Sequence, residues 1–487
     1  MNNREFKSKT TAFDFQSRAI KLLKKLDYGG IFFEQGLGKT KIAIELILYW
    51  LKERQVDLVI VVTKKGLIKN WEEEISLHSF LSHAVLQQNR KMSSALFLSG
   101  INLLVTNYEV INSQHRKLLP LSRLKKLGII LDESAKIKNP NSKLSKIFFS
   151  LIDIFKKRFI LTGTPSANRP YDIWSQIKFL DNGLSLNIPY EMFVEQTDLK
   201  NTLNDDIQGQ EAFSDNLTSI FSKIDGFCIR ETKEENLKDL PEKRFLEIKC
   251  SWEKNQKELY EKFKEEFKAF VKKNNSMVEE NTSNILKRII RLMQVTSNPS
   301  LVDDNYSNIT EKYNELKKLI HSIIEKDEKC IVWSSYVKNI DFLHSHFEKL
   351  GAVKIHGKIN IDKRNENLYE FKNNKDIRIL FATPQSCKEG LTLTVANHCI
   401  FFDRTLSLDD YLQSQDRIHR ISQKKQCFIY NFIIENSIDV WVNKLIDAKN
   451  NAARIVMGDI NIDTFKDSMD YDFSAIMKSI LYDNKEK

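Results

Sequence analysis

Residues 28–50, YGGIFFEQGLGKTKIAIELILYW, decide the fold. The run Gly30–Phe33 reads as a short buried strand, and KIAIELILYW carries its apolar residues at helical spacing. Between them EQGLGKT is a tight turn that opens a helix. Such a turn exposes backbone N–H groups where the helix dipole favours an anion, so it suits a phosphate. Within Gln35, Gly36, Leu37, Gly38, Lys39 and Thr40, the lysine can reach β- and γ-phosphates and the threonine hydroxyl can ligate Mg²⁺. A strict phosphate loop wants glycine where Phe33 stands, so the match is partial, and Gly36 and Gly38 supply the flexibility. Lys39 is expected to be solvated when no nucleotide is bound.

A second stretch, GIILDESAKIKNP, places Asp132 and Glu133 just beyond an apolar strand, 93 residues after Lys39. ATP hydrolysis needs one carboxylate near the metal and another to orient or deprotonate the attacking water. Adjacent acids at a strand's carboxyl end suit those two tasks. ATP and Mg²⁺ are therefore the expected cofactors, with Thr40 and Asp132 on the metal and Glu133 on the water.

Outward from these motifs, short apolar runs alternate with amphipathic helical stretches in two blocks. Leu58–Val62, Asn102–Val105, Ile129–Leu131 and Phe159–Leu161 continue the first block, and Cys330–Trp333, Val353–Ile355, Ile377–Phe381, Cys399–Phe402 and Phe428–Phe432 form the second. Strands alternating with helices imply parallel sheets covered on both faces, hence an α/β protein with two such domains. The expected organisation is a nucleotide-binding lobe at 1–180, a mainly helical linker or insertion at 181–310, a second lobe at 311–450 and an acidic extension at 451–487.

The 487 residues include 75 Lys+Arg and 65 Asp+Glu, a net charge of +10, and 41% are hydrophobic. That apolar content excludes a disordered or fibrous chain. Residues 451–487 carry five basic and seven acidic residues, which leaves +12 on residues 1–450 and suggests a polyanionic partner. The six cysteines contain no C-x2-C pair, so neither a zinc site nor a disulfide framework is expected. No run approaches the ~20 apolar residues of a membrane span, and the polar start MNNREFKSKTTAFDFQ has no secretory signature. A reducing cytosolic or nuclear compartment is expected, with no membrane partner.

From about Phe13 to Lys449 the chain resembles the Swi/Snf-type ATPases of helicase superfamily 2. AFDFQSRAIKLL looks like the adenine-reading segment, VVTKKGLIKNWEEEI and LLVTNYEVI like the motifs after the next strands, and FILTGTPSANRPYDIWSQIKFL like the coupling motif. CIRETKEENLKDLPEKR and LKRIIRLMQVTSNPSLV resemble stretches that other helicases lack, and FATPQSCKEGLTLTVANHCIFFD and YLQSQDRIHRISQKKQ look like the last two motifs.

The resemblance implies two RecA-like lobes and an ATPase that moves on double-stranded DNA without processive strand separation. It assigns Gln16 and Gly390 to ATP, and Arg417 and Arg420 to the transferring phosphate. Spaced three apart, the two arginines are expected on one face of a helix. Thr162, Gly163, Thr164, Gln413 and Gln423 fall to coupling. Lys64, Lys65, Asn70, Thr106, Asn107, Thr383, Gln385 and Lys388 occupy positions that face the nucleic-acid path. Trp71, Trp174 and Trp333 read as packing anchors, Cys387 as a small buried hydrophobe, and His419 as support for the arginines. One departure concerns coupling: the family usually has a histidine two places after the glutamate, linking the ATP site to the coupling motif, and here Ser134 and Ala135 follow. A strand-separating or annealing helicase, and an ATP-switched DNA-binding subunit of a larger replication, repair or defence complex, are the competing readings.

Overall fold

Leu58–Thr63, LVIVVT, is apolar on both sides of the pleat, the pattern of a parallel strand covered by helices on both faces, and all six residues are buried. The computed structural model describes residues 6–88, 94–97, 99–166, 168–198, 207–273, 282–387 and 391–459. The first sheet comprises β1 (Tyr28–Phe33), β2 (Leu58–Thr63), β3 (His83–Val85), β4 (Leu103–Asn107), β5 (Leu127–Asp132), β6 (Phe155–Leu161) and β7 (Cys228–Glu231). Its spatial order is β3-β4-β2-β5-β6-β1-β7, and every pairing is parallel.

The helix Lys39–Lys52 buries residues around its whole circumference, including Ile42, Leu46, Trp50 and Leu51, because it lies between this sheet and neighbouring helices. The sheet order puts β1 and β5, which deliver the phosphate loop and the acid pair, on either side of β6. Their carboxyl ends therefore open on the same edge, the usual place for a ligand in an open α/β sheet.

The second sheet comprises β8 (Lys243–Cys250), β9 (Cys330–Trp333), β10 (Ala352–Ile355), β11 (Ile379–Ala382), β12 (His398–Phe401) and β13 (Cys427–Ile434). It is ordered β10-β11-β9-β12-β13-β8, again all parallel. Its core packs Val332, Phe381, Ile400 and Phe432 on one face and Ile331, Trp333, Leu380 and Ile429 on the other.

The division of the chain differs from the sequence expectation. One compact unit runs to Lys238 and resumes at Asn451; the other covers Asp239–Asn450. Residues 181–310 do contain the helices Lys254–Lys273 and Thr282–Ser297, but they also supply an edge strand to each sheet, β7 and β8. Periodicity hid β8 because KRFLEIKC is mostly exposed and carries charge, as edge strands do to block further pairing. In the first unit Arg230 of β7 donates through Nη1 to Phe32 O at 2.7 Å and, from Nε and Nη2, to both carboxylate oxygens of Asp459 at 3.0 and 2.8 Å. The rest of the expected acidic extension, from residue 460, lies outside the described residues. Among the described residues no helix is long and apolar enough to cross a membrane, and no three or more His, Cys, Asp or Glu side chains gather into a metal-holding cluster. All six cysteines are buried and none is in a disulfide.

Candidate ATP site

The loop after β1 reverses direction through Gly36 (φ 90°) and Gly38 (φ 78°), both in the left-handed region that favours glycine. At Gly38 there is also no room, since a Cβ would stand 2.4 Å from Gln16 Nε2. Gln16, on the helix Asp14–Leu23, is buried beneath the loop: its Nε2 donates to Leu37 O at 3.0 Å and its Oε1 accepts from Phe13 N–H at 3.1 Å. The residue read as a base contact thus also holds the loop's backbone. Lys39 is buried rather than solvated, and its Nζ donates to Phe33 O at 2.8 Å and Glu34 O at 3.3 Å. The ammonium sits where carbonyls at the end of β1 converge, and it closes the loop.

Asp132 ends β5 with its carboxylate held by three donors. Oδ2 accepts from Thr63 Oγ1 and from Trp71 Nε1, each at 2.8 Å, and Oδ1 accepts from Glu133 N–H at 3.0 Å. Tyr108 fixes the backbone at the same point, its hydroxyl donating to Asp132 O at 2.7 Å. Glu133 takes a left-handed backbone (φ 54°, ψ 49°), a strain of ~1–3 kcal/mol for a residue with a side chain. That turn swings its carboxylate toward the phosphate loop, where Oε1 accepts from Gln35 Nε2 at 3.3 Å and Oε2 pairs with Lys64 Nζ at 3.1 Å. Gln35 in turn lies against Gly163, with its Nε2 3.1 Å from where a Cβ would be.

The two acids are pushed in opposite directions. Burial, then the neighbouring charge of Glu133, raises the Asp132 carboxyl above its usual range. Burial also acts upward on Glu133, but the nearby Lys64 and Lys39 outweigh it and hold the carboxyl below its usual range. Environments that separate two titratable groups in this way assign them different tasks. The donor set fits Mg²⁺, a hard cation that takes oxygen ligands: Thr40 offers a hydroxyl, and Asp132 a carboxylate already oriented by three N–H and O–H groups.

In the second unit the arginines are not on a helix. The helix Leu408–Gln415 stops before them, and Arg417 and Arg420 stand in the turns that follow. Arg417 is buried and donates from Nη1 to Leu391 O at 3.3 Å, while Leu393 N–H returns a bond to Arg417 O at 2.8 Å. Arg420 donates from Nε to Asp416 O at 2.9 Å and from Nη1 to Thr392 Oγ1 at 2.8 Å. Both guanidinium groups are thereby tied to Leu391–Leu393. His419 donates through Nε2 to Pro241 O at 2.9 Å, and so anchors the segment before β8. Gln413 and Gln423 are buried; Gln423 Nε2 donates to Thr394, Ala396 and Ile418 carbonyls at 3.0–3.2 Å and braces the same turns. Gly390 lies outside the described residues.

The residues expected along a nucleic-acid path divide. Lys65 and Gln385 are exposed, and Asn70 is partly so. Thr106 is fully buried, with its hydroxyl donating to Leu86 O at 2.9 Å, and presents nothing to a strand. Asn107 caps the helix Tyr108–Gln114, accepting from Val110 N–H at 3.0 Å, and Thr383 is buried. Lys64 is turned to Glu133 as described, and Lys388 lies outside the described residues. Thr162 N–H bonds Ile31 O at 3.2 Å, and Thr162 Oγ1 accepts from Thr164 N–H at 3.2 Å, so the coupling segment starts against β1.

Trp71 is buried, as a packing anchor should be, but its indole N–H has a partner in Asp132 that sequence reasoning missed, as it missed Thr63. Thr63 ends β2 and Trp71 follows it, yet nothing local reveals that β2 and β5 are neighbours. Trp71→Phe removes one donor from the charged form of Asp132, so its carboxyl rises further. The acid limb of the kcat/KM–pH profile of ATP hydrolysis, which reports the free enzyme, should shift to higher pH, and an unmoved limb rules out this role.

A phosphate loop, an acid pair on a nearby strand and two parallel-sheet units define a P-loop ATPase of helicase type. The model of the SNF2-related domain matches residues 15–301, and that of the helicase conserved C-terminal domain matches residues 311–422. The chain belongs to the SNF2-related family. It is 26% identical over 459 residues to an uncharacterized ATP-dependent helicase of Mycoplasma genitalium, covering 92% of this chain and 42% of the relative. It is also 26% identical over 432 residues to an ISWI chromatin-remodeling complex ATPase of Saccharomyces cerevisiae, covering 83% of this chain and 37% of that one. The chain thus spans less than half the length of these curated relatives. A solved SWI2/SNF2 ATPase core of Sulfolobus solfataricus in complex with dsDNA is similar at 22% identity and a TM-score of 0.43 over 98% of each chain.

Proposed function

We propose that this chain couples ATP hydrolysis to movement along double-stranded DNA, contacting the backbone without reading bases. The observation that carries the catalytic part is the divided acid pair, with Asp132 clamped by three donors and Glu133 strained toward the loop between Gln35 and Lys64. In this reading the N–H groups of Gln35–Thr40 and the Lys39 ammonium hold the phosphates. Thr40 and Asp132 hold Mg²⁺, which when bound neutralises charge on the phosphate oxygens. Gln16 keeps the loop in shape and reads the base. Glu133 orients the attacking water and accepts its proton. Arg417 and Arg420 stabilise the charge on the transferring phosphoryl group in the transition state. The dsDNA track rests on the family, on the basic excess of residues 1–450 and on the exposed Lys65 and Gln385.

ATP turnover measured without DNA, with single strands and with duplex tests the reading. Stimulation by duplex alone is expected. Stimulation by single strands favours a strand-separating helicase, and no stimulation favours an ATP-operated switch. Duplex binding should be independent of sequence and fall steeply with salt, with a log–log slope of about −0.9 per phosphate contact. ATP should drive displacement of a triplex strand, whereas efficient unwinding of a plain forked duplex would show that the chain is a helicase instead.

A further inference from the structure

The first unit contains a buried polar chain that ATP chemistry does not use. Ser134 follows the acid pair directly, and Gln176 lies on the helix Trp174–Asp181; both are completely buried. Ser134 Oγ donates to Gln176 Oε1 at 2.7 Å. Gln176 Nε2 donates to Pro165 O at 2.8 Å and to Asp172 O at 2.9 Å. The assignment has one solution: the amide nitrogen faces two carbonyls, so the amide oxygen must accept and the serine hydroxyl must donate. The same two regions are fastened twice more, by Ser175 Oγ donating to Ile137 O and by the Lys138–Asp172 ion pair at 3.0 Å.

A buried amide is costly here. Its helix neighbours Ile177, Phe179 and Leu180 are fully buried hydrophobes, so the amide has no access to water and each of its polar atoms needs a protein partner. The amide's bonds run from the residue beside Glu133 to Pro165 of the Thr162–Pro165 segment. Ala135, at the position where a histidine would make such a link, has only a methyl group.

We infer that Ser134 and Gln176 form this protein's own link between the catalytic acid pair and the coupling segment, with Gln176 a positioning residue that acts through Pro165. Because its hydrogen bonds allow one arrangement, a shift of the backbone at Glu133–Ser134 moves Gln176 and with it the carbonyl of Pro165. The inference rests on the ATPase reading above, and it is specific to coupling rather than to bond cleavage.

The test compares wild type with Ser134→Ala, Gln176→Leu and the double variant. Steady-state ATP turnover with and without duplex is measured on each, together with amide hydrogen exchange with and without a non-hydrolysable ATP analogue. Each single variant should keep basal kcat and the KM for ATP within about twofold and lose about tenfold of the duplex stimulation, the usual scale of a coupling between sites. Analogue-induced protection at residues 36–42 should persist, while that at 162–168 should vanish. Each single change leaves a side-chain group unpaired, the Gln176 amide oxygen in Ser134→Ala and the serine hydroxyl in Gln176→Leu, so Tm falls; in the double variant both of those groups are gone and Tm partly recovers, held below wild type by the Pro165 and Asp172 carbonyls that lose their donor, but coupling should not recover. Recovery of coupling along with Tm would make the pair a packing feature and overturn the inference. Persistent protection at 162–168 in Gln176→Leu would do the same. If wild type shows no response to duplex, the DNA reading fails, and the exchange comparison still decides whether the link exists.

Discussion

Arg420→Ala is expected to lower duplex-stimulated kcat by ~10³-fold or more, the scale seen when a transition-state arginine is removed, with little change in nucleotide affinity. Arg420 belongs to the second unit and the phosphate loop to the first. Ground-state binding therefore draws on Lys39, the loop N–H groups and Gln16, and the loss falls on kcat. The fold should tolerate the change: the groups that lose a partner, Asp416 O and Thr392 Oγ1, lie in the turns around a part-exposed side chain, where water can replace the guanidinium. Arg420→Lys should rescue only partly, since an ammonium lacks the planar fork that spans both partners. Nucleotide binding and stimulated turnover measured on the same variant decide the matter. Surviving turnover removes the arginine from the mechanism, and collapsed binding gives it a ground-state or folding role.

Lys39→Ala is expected to abolish hydrolysis, and the structure adds a second consequence. The Lys39 ammonium bonds Phe33 O and Glu34 O, so its removal takes the partner from two carbonyls at the end of β1. An orphaned buried acceptor costs ~1–3 kcal/mol, so the variant should fold with a measurably lower Tm. Lys39 also contributes to holding the Glu133 carboxyl low, so that carboxyl should move up in the variant. Turnover and thermal unfolding together check this: near-wild-type turnover refutes the phosphate-loop assignment, and an unchanged Tm refutes the loop-closing role.

Local pattern made most of the framework legible. Ten apolar runs named from the sequence coincide with β1, β2, β4, β5, β6 and β9–β13, because strands buried on both faces carry that signal in their own residues. The strands it missed, β3, β7 and β8, are edges or short, and their apolar content is diluted by charge or exposure. For the same reason 181–310 looked like a separate helical segment when it is shared between the two units.

By itself the sequence marked out the loop at Gln35–Thr40 and the acid pair at Asp132 and Glu133 as candidates, since each is a contiguous motif, and the resemblance added the arginines at 417 and 420. Tertiary structure alone decided what those residues touch. Parallel strands separated by many residues become neighbours through crossovers, so Thr63 at the end of β2 and Trp71 beyond it reach Asp132 at the end of β5, and Lys64 reaches Glu133. The arginines' position in turns rather than on a helix, and the burial of Lys39 and Thr106, depend likewise on what packs around them. Gln176 is the sharpest case. In WSQIKFL it is one of three polar residues on the helix; the local chain offers it only Asp172 O, and the approach of Ser134 and Pro165, 42 and 11 residues away, gives its amide the other partners.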